Sequence, residues 1–434
     1  MSQYPSLSRR GFLGGVGVTA AAMVGGNALL GQTAANASTS GGLPAPAQSG
    51  IDHIVVVMME NRSFDHYLGW LPGANGKQQG LSFVDRQWQT RQTHHLTDFQ
   101  GCAHPDPDHS YEGGRIQLNG GKCDGWLISG ENDDFAIGYY TGQDQDFYRY
   151  AAPYWTVCDS YFSATMAETY PNRFYQHSAQ TDRTHNSMVT ATMPTIWDRL
   201  KAAGVSGTYY YNDVPFLALY GSKYLDISKP FPTFLADAAA GKLPSVSYID
   251  PRFTDEGSGS SGDDHPHADI RAGQAFLSEV YQAITRSPNW SRTMLVINYD
   301  EWGGFFDHVV PGNAPDARPD LGTGLRGFRV PCLVISPRAR RRYIAHRTYD
   351  HTSVLKAIEW RFGLQPLTVR DAAANNLAEV LDFHSAPNLT APPIVVKPFV
   401  GTPCGSGAAG DTIAHYEEWQ QLAALARTHG FRAA

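Results

Sequence analysis

The sequence predicts an α/β fold: a central, mostly parallel sheet flanked by helices on both faces, carrying one loop-rich insertion. Three observations predict it. Short apolar runs recur at 54–59, 207–211, 246–249, 294–299 and 330–335, each bounded by polar residues and most of them rich in valine, isoleucine or tyrosine. Such runs are too short for core helices and read as strands buried on both faces. Helical patterns stand between them at 195–203, 270–287 and 353–362, and strands that alternate with helices imply crossovers onto a parallel sheet covered on both sides. Residues 75–150 keep neither rhythm: polar, glycine-rich and dotted with aromatics, they read as an insertion over the sheet edge.

The chain opens on Ser8, Arg9, Arg10, Gly11, Phe12 and Leu13, then an uncharged Ala/Gly/Val/Leu run to about Leu30 and small residues at Ala35, Asn36 and Ala37. That grammar is a twin-arginine export signal, removed after about residue 37. A Ser/Gly/Pro/Ala linker follows over 38–50, so ordered structure is expected from Ile51. Residues 51–434 read as one domain, with a Pro/Gly-rich extension from about 370 that ends in a helix-like stretch over 412–427. With 434 residues, 42% of them hydrophobic, the chain has ample material for a core. The net charge is -7, and losing Arg9 and Arg10 takes it to -9. An acidic chain without a basic stripe argues against nucleic acid as the main partner. The five cysteines, Cys102, Cys123, Cys158, Cys332 and Cys404, show no CxxC pair and no zinc spacing. An oxidising exterior permits one or two disulfides, and Cys102 with Cys123 is the expected pair because both lie in the loop-rich insertion.

In an open parallel sheet, ligands bind beyond the carboxyl ends of the strands, so polar residues directly after an apolar run carry the chemistry. One run ends in Glu60 and Asn61; another ends in Asp300 and Glu301, followed by Gly303 and Gly304, which permit a sharp turn. Adjacent residues in a strand face opposite ways, so both members of each pair reach one ion only where the strand has ended. Three carboxylates and an amide oxygen suit one hard metal ion, divalent or trivalent. Read singly, each acid is equally a turn or helix cap.

Pro171 sits where a first helical turn accepts it, and the helix should run to about 180. Thr169 then stands just before a helix N-terminus, where backbone N–H groups and the dipole favour phosphate. A threonine hydroxyl becomes a nucleophile when metal coordination removes its proton; the plainer reading is a helix cap. His109, His265, His308 and His351 all follow aspartates closely, as imidazoles that hold phosphoryl oxygens or protonate a leaving group do.

Five ordered blocks carry a family resemblance: HIVVVMMENRSFDHYLG at 53–69, TYPNRFY at 169–175, DDHPHADIRAG at 263–273, NYDEWGGFFDHV at 298–309 and YDHTSVLKAIEWRFG at 349–363. Together they resemble the bacterial phosphoesterase family of phosphatidylcholine-type phospholipases C and AcpA-like acid phosphatases. The resemblance implies an alkaline-phosphatase-like fold with one metal ion, bound by Glu60, Asn61, Asp300 and Glu301 and by Thr169, which is also the nucleophile. It places His109 and His265 around the phosphate and assigns His308 and His351 to further motif positions. Glu168 departs from the small residue that many phospholipase relatives have there.

The expected activity is therefore hydrolysis of a phospholipid or small phosphate ester through a phosphothreonine, with transient contact to a membrane surface. An acid phosphomonoesterase of the same fold is the alternative, and a secreted binding protein that has lost catalysis is the non-enzymatic one. Trp126, Phe135, Tyr139, Tyr140, Phe147 and Tyr154 are either an apolar approach for lipid or ordinary core aromatics. No CxPxR or SxPxR motif of a sulfatase is present.

Overall fold

The computed structural model describes residues 42–254, 260–404 and 412–432, with side chains in the last segment from residue 418. The expected export signal, 1–37, and residues 38–41 of the linker lie outside the described residues. Eight strands form the main sheet: β1 (His53–Met59), β2 (Thr156–Cys158), β3 (Gly207–Tyr211), β4 (Ser228–Pro230), β5 (Val246–Asp250), β6 (Thr293–Tyr299), β7 (Cys332–Ile335) and β8 (Tyr343–Ala345). Their order across the sheet is β8-β2-β7-β6-β1-β5-β3-β4. Only β7 runs against the rest.

The three central strands, β6, β1 and β5, are buried almost throughout, as their unbroken apolar runs require. Their register matters most for the site. Met59 stands opposite Tyr299 and Val57 opposite Ile249, so the three strands end nearly level. Helices α1 (Phe64–Leu68), α2 (Tyr111–Leu118), α3 (Thr169–Ser178), α4 (Ile196–Ala202), α5 (Phe231–Ala239), α6 (Ile270–Thr285), α7 (His351–Phe362) and α8 (Thr412–Thr428) complete the framework. Helix α3 starts two residues before Pro171, which therefore lies inside the first turn, where its missing N–H costs nothing. Thr195 with Asp198 and Asp350 with Ser353 form capping boxes that fix the starts of α4 and α7. No described helix is long and apolar enough to cross a membrane.

The insertion folds into α2 and short strand pairs, and builds a second core of its own. Phe83, Trp126, Leu127 and Ile137 pack there against Met166, Trp302, Phe306 and Phe328. Of the aromatics that offered a lipid approach, Trp126, Phe135, Tyr139, Tyr140 and Phe147 are buried and Tyr154 is partly buried. They are core.

The expected Cys102–Cys123 pair is corrected. Cys102 bonds to Cys404, 302 residues away, and Cys123, Cys158 and Cys332 are buried thiols. Cys123 follows α2 with a left-handed backbone that turns it into the second core, whereas Cys102 faces the C-terminal extension, where Gln100 also donates to the Thr402 carbonyl.

A crosslink over so long a loop restricts the unfolded chain. Cys102→Ser should therefore cost about 2–4 kcal/mol in denaturant unfolding, and reductant should add nothing further to that variant. Cys123→Ser should leave reductant sensitivity intact. A second prediction concerns α7, whose Glu359 is buried beside Asp371; burial and that neighbour push its carboxyl up to about 9 from the usual 4.5. The folded chain then holds a proton that the unfolded chain releases, so stability falls as pH rises from about 4.5 to 9. Glu359→Gln should stabilise the protein by about 1–3 kcal/mol at pH 8 and not at pH 4. Equal unfolding midpoints for the two proteins at pH 8 would refute it.

Candidate active site

Glu60 and Asp300 leave adjacent parallel strands side by side, because the register sets Met59 against Tyr299 and the Asp300 N–H donates to the Met59 carbonyl at 3.1 Å. Asp250, the last residue of β5, leaves on the other side of β1. Into this row of acids α3 inserts Arg173, one turn beyond Thr169 and on the same helix face. Its Nη2 and Nε donate to Glu60 Oε1 at 2.6 and 3.0 Å, Nε also to Asp300 Oδ2 at 3.1 Å, and Nη1 to Asp250 Oδ1 at 3.1 Å. The Thr169 hydroxyl donates to Glu60 Oε2 at 3.3 Å. Thr169 is not the helix cap; Glu168 holds that position without a side-chain cap bond.

Asn61 adopts a left-handed backbone, φ 53°, which asparagine tolerates. Its N–H donates to Asp300 Oδ1 at 3.2 Å, and the Glu301 N–H donates to the same oxygen at 2.7 Å. Gly303 is obligatory for this approach: a Cβ there would lie 2.1 Å from the Asn61 carbonyl oxygen. Both polar atoms of the buried Asn61 amide, and Glu301 Oε1, have no hydrogen-bond partner. Burial pushes the carboxyls of Glu60, Asp300 and Glu301 up; at Glu60 the charge of Asp300 adds to this, at Asp300 Arg173 opposes it, and at Glu301 His109 opposes it. Three buried acids beside one arginine, with an unsatisfied amide oxygen, fit a hard cation in composition and charge.

His109 and His265 meet on the other flank. With Asp106 they place three ligand-type atoms within 4.8 Å of one another, and His265 Nε2 lies 3.4 Å from Asp106 Oδ2. Burial opposes the charge on His109, but Glu301 and Asp106 outweigh it and hold the imidazole up at about 10, protonated at neutral pH. His265 owes its place to Arg62. This buried guanidinium donates to the carbonyls of Asp264 at 2.6 Å and His265 at 3.0 Å, while the Asp264 carboxylate accepts from Tyr67 and Tyr299. Arg62 also meets Nε2 of His66, which burial and the arginine keep neutral and whose Nδ1 donates to the Gly138 carbonyl.

The other two histidines stand apart. His308 Nδ1 pairs with Asp65 Oδ2 at 2.5 Å, in a network where the buried Arg329 binds Asp65 and Asp307. Together with Ser63 donating to the Phe306 carbonyl, this network clips the segment after β1 to the segment after β6. His351 lies behind the site: Nε2 donates to the Asp300 carbonyl at 2.7 Å and Nδ1 accepts from Tyr161, whose hydroxyl accepts from Asn298. Burial pulls His351 down to about 4, so the ring is neutral.

Arg173, Asp250, Asp106 and Asp263 were not singled out from the sequence as site residues. Asp250 follows an apolar run just as Glu60 and Asp300 do, and Arg173 stands four residues beyond Thr169, so both carried a readable signal. Asp263 accepts the Glu60 N–H through its carbonyl at 2.8 Å. The extension reaches the site through two rings: Trp419 of α8 stacks on Phe253 at 4.0 Å, and Phe253 lies under the Arg173 guanidinium at 4.6 Å. Glu168, the departure from the expected small residue, accepts the Asn186 N–H, and Asn186 in turn donates to Glu418 of α8.

Phospholipase C B of Mycobacterium tuberculosis is 32% identical over 438 residues, covering 80% of this chain and 81% of its own. Non-specific phospholipase C6 of Arabidopsis thaliana is 30% identical over 391 residues, covering 80% and 75%. Among solved structures, a protein in the alkaline phosphatase superfamily from Vibrio parahaemolyticus superposes with a TM-score of 0.40 at 10% identity, covering 90% of each chain. A phosphonate monoester hydrolase of Agrobacterium radiobacter gives 0.37 at 10% identity, covering 76% and 77%. The Phosphoesterase family matches residues 51–365. The chain belongs to the phosphoesterase family and is a hydrolase of phosphoric ester bonds.

Proposed function

We propose that the chain is an exported, metal-dependent phosphoesterase of the phospholipase C type that works through a phosphothreonine intermediate. The observation that carries the reading is the Thr169 hydroxyl at 3.3 Å from Glu60, at the start of a helix and among three buried acids and an unsatisfied amide. Glu60, Asn61, Thr169, Asp300 and Glu301 would hold one hard cation. When bound, the cation supplies positive charge that favours an ionised hydroxyl and the phosphoryl oxygens.

The protein's own residues do the rest. Thr169 Oγ1 attacks phosphorus, and its proton leaves along the bond it already makes to Glu60. His109, protonated at neutral pH, binds a phosphoryl oxygen or protonates the departing alcohol, and His265 stands beside it, oriented by Asp106 and by the Arg62 grip on its carbonyl. Water then cleaves the phosphothreonine. His308 and His351 act as positioning residues, the first through Asp65 and the second through the Asp300 carbonyl. Export is supported by the twin-arginine segment at 8–13 and fits the Cys102–Cys404 disulfide. The names of the relatives, all phospholipases C, support a phospholipid as substrate.

Thr169→Ala should lower turnover more than roughly a thousand-fold with the unfolding midpoint unchanged. Retention of more than a few per cent of activity would remove Thr169 as nucleophile. Wild-type enzyme stripped with a chelator should lose activity and regain it on addition of one among calcium, magnesium, manganese or iron; full activity after verified metal removal would end the metal assignment. Side-by-side rates on phosphatidylcholine, a soluble aryl phosphocholine and an aryl monophosphate should favour the two diesters. A preference for the monophosphate would instead indicate the phosphomonoesterase alternative.

A further inference from the structure

Among the large hydrophobic side chains of the described residues, Trp88 is the most exposed, at 87%. Tryptophan is highly buried on average, because its ring carries more apolar area than almost any other side chain. Nor is this one the by-product of a loose loop. It sits at the tip of a hairpin whose strands, Ser82–Val84 and Thr90–Gln92, pair antiparallel. Asp85 organises the turn: its Oδ1 accepts the N–H groups of Gln87 and Gln89 at 3.0 and 2.8 Å, its Oδ2 accepts Arg91 Nε at 2.9 Å, and its backbone pairs with Gln89 and Trp88. Trp88 itself adopts φ 59°, a left-handed conformation that bulky residues rarely take. The turn is tied by these bonds, and its left-handed residue carries the indole outward.

The surroundings indicate what meets it. Gln87, Gln89 and Thr90 flank the indole as neutral polar residues, with Arg86 in the turn and Arg91 paired to Asp85, so the indole rises from a polar collar of little net charge suited to hydrated head groups. Tryptophan concentrates at that depth of a bilayer, where its ring is half solvated and its N–H keeps a partner. Two further exposed apolar side chains stand near the turn: Val84, 43% exposed and paired with Thr90, and Ile128, 45% exposed, next to Ser129, whose carbonyl accepts from Arg86. Glu131, Asp133 and Asp134 line a cleft with Asp85, Arg86 and Arg91 beside that turn, so the local charge gives little attraction to an anionic surface. The hairpin also packs on the segment that leaves the site. Phe83, between Ser82 and the exposed Val84, packs on Phe306 at 6.2 Å between centroids, in the segment that follows Glu301, and the same insertion carries Asp106 and His109.

We infer that the 82–92 hairpin is a lipid-docking finger that seats Trp88 in the head-group layer of a zwitterionic phospholipid surface, bringing the insertion and its His109 to the substrate layer. The inference rests on the phospholipase reading for its substrate, but its own test is binding. In a Thr169→Ala background, flotation with phosphatidylcholine vesicles should fall about ten-fold for Trp88→Ala, equivalent to about 1.4 kcal/mol. Trp88→Gly, which the left-handed backbone accepts without strain, should behave alike, and Tyr150→Ala, which removes another exposed aromatic, should float as the parent does. In enzyme with Thr169 intact, Trp88→Ala should lose vesicle turnover in parallel and keep its rate on soluble aryl phosphocholine. Undiminished flotation of both Trp88 variants overturns the finger and leaves a protein partner as the occupant of the tip; an equal loss in Tyr150→Ala overturns it too. If Trp88-dependent flotation appears while neither lipid nor soluble diester is cleaved by enzyme with Thr169 intact, the finger stands and the phospholipase reading falls.

Discussion

The architecture of the site depends on one buried cation meeting three carboxylates. Glu60, Asp250 and Asp300 end three neighbouring parallel strands, and each would cost several kcal/mol to bury as an uncompensated ion. Arg173 touches all three and is itself only 1% exposed. Because it stands one helical turn beyond Thr169, the ion pairs that make burial tolerable also fix where the hydroxyl stands. Helix α3 is thus anchored by charge at the sheet edge, and its first residue is carried to Glu60. The compensation is incomplete, since Glu301 adds a further buried acid whose Oε1 finds no partner. A site that stays negative after its own arginine is paired favours an added cation.

A second constraint explains why Asp-His steps that look alike in the sequence end so differently. His265, His308 and His351 each directly follow an aspartate, and none of them pairs with that aspartate's side chain. His265 approaches Asp106 rather than Asp264; His308 binds Asp65 rather than Asp307; His351 binds the Asp300 carbonyl, while Asp350 caps α7 and pairs with Arg326 and Arg370. Adjacent side chains diverge along an extended or turning backbone, so each aspartate and its histidine serve different partners, and each histidine reaches a residue distant in sequence. The aspartates carry the structure, and arginines hold them: Arg329 for Asp65 and Asp307, Arg370 and Arg326 for Asp350. Arg62 works differently, gripping two carbonyls around the left-handed Asp264.

These contrasts mark what a linear reading reaches. The central strands, the helices 196–202, 270–285 and 351–362, and the acids after β1 and β6 were legible because burial on both faces and position after a strand leave a local trace. Strands β2, β4 and β8 were not, being three residues each and set by their partners in the sheet rather than by their own pattern. Asp250 and Arg173 left a trace in spacing alone. The Cys102–Cys404 bond and the stacking of Trp419 on Phe253 left none, because both depend on how a Pro/Gly-rich extension folds back, a long-range outcome that no window of residues encodes.

Enclosure of the site bears on how a lipid would be handled. Glu60, Asn61, Asp300 and Glu301 are fully buried and Thr169 nearly so, with the insertion on one side and α8 reaching Phe253 on another. The aromatics of the insertion are spent in its core rather than on an apolar entrance. Acyl chains drawn out of a bilayer would find little here to replace the contacts they left. The favourable arrangement leaves the tails in the lipid and brings the protein to the surface, so that only the head group crosses into the site. Affinity for the surface must then come from outside the pocket, from exposed apolar side chains on rigid supports, and within the insertion the hairpin at 82–92 presents the largest of these.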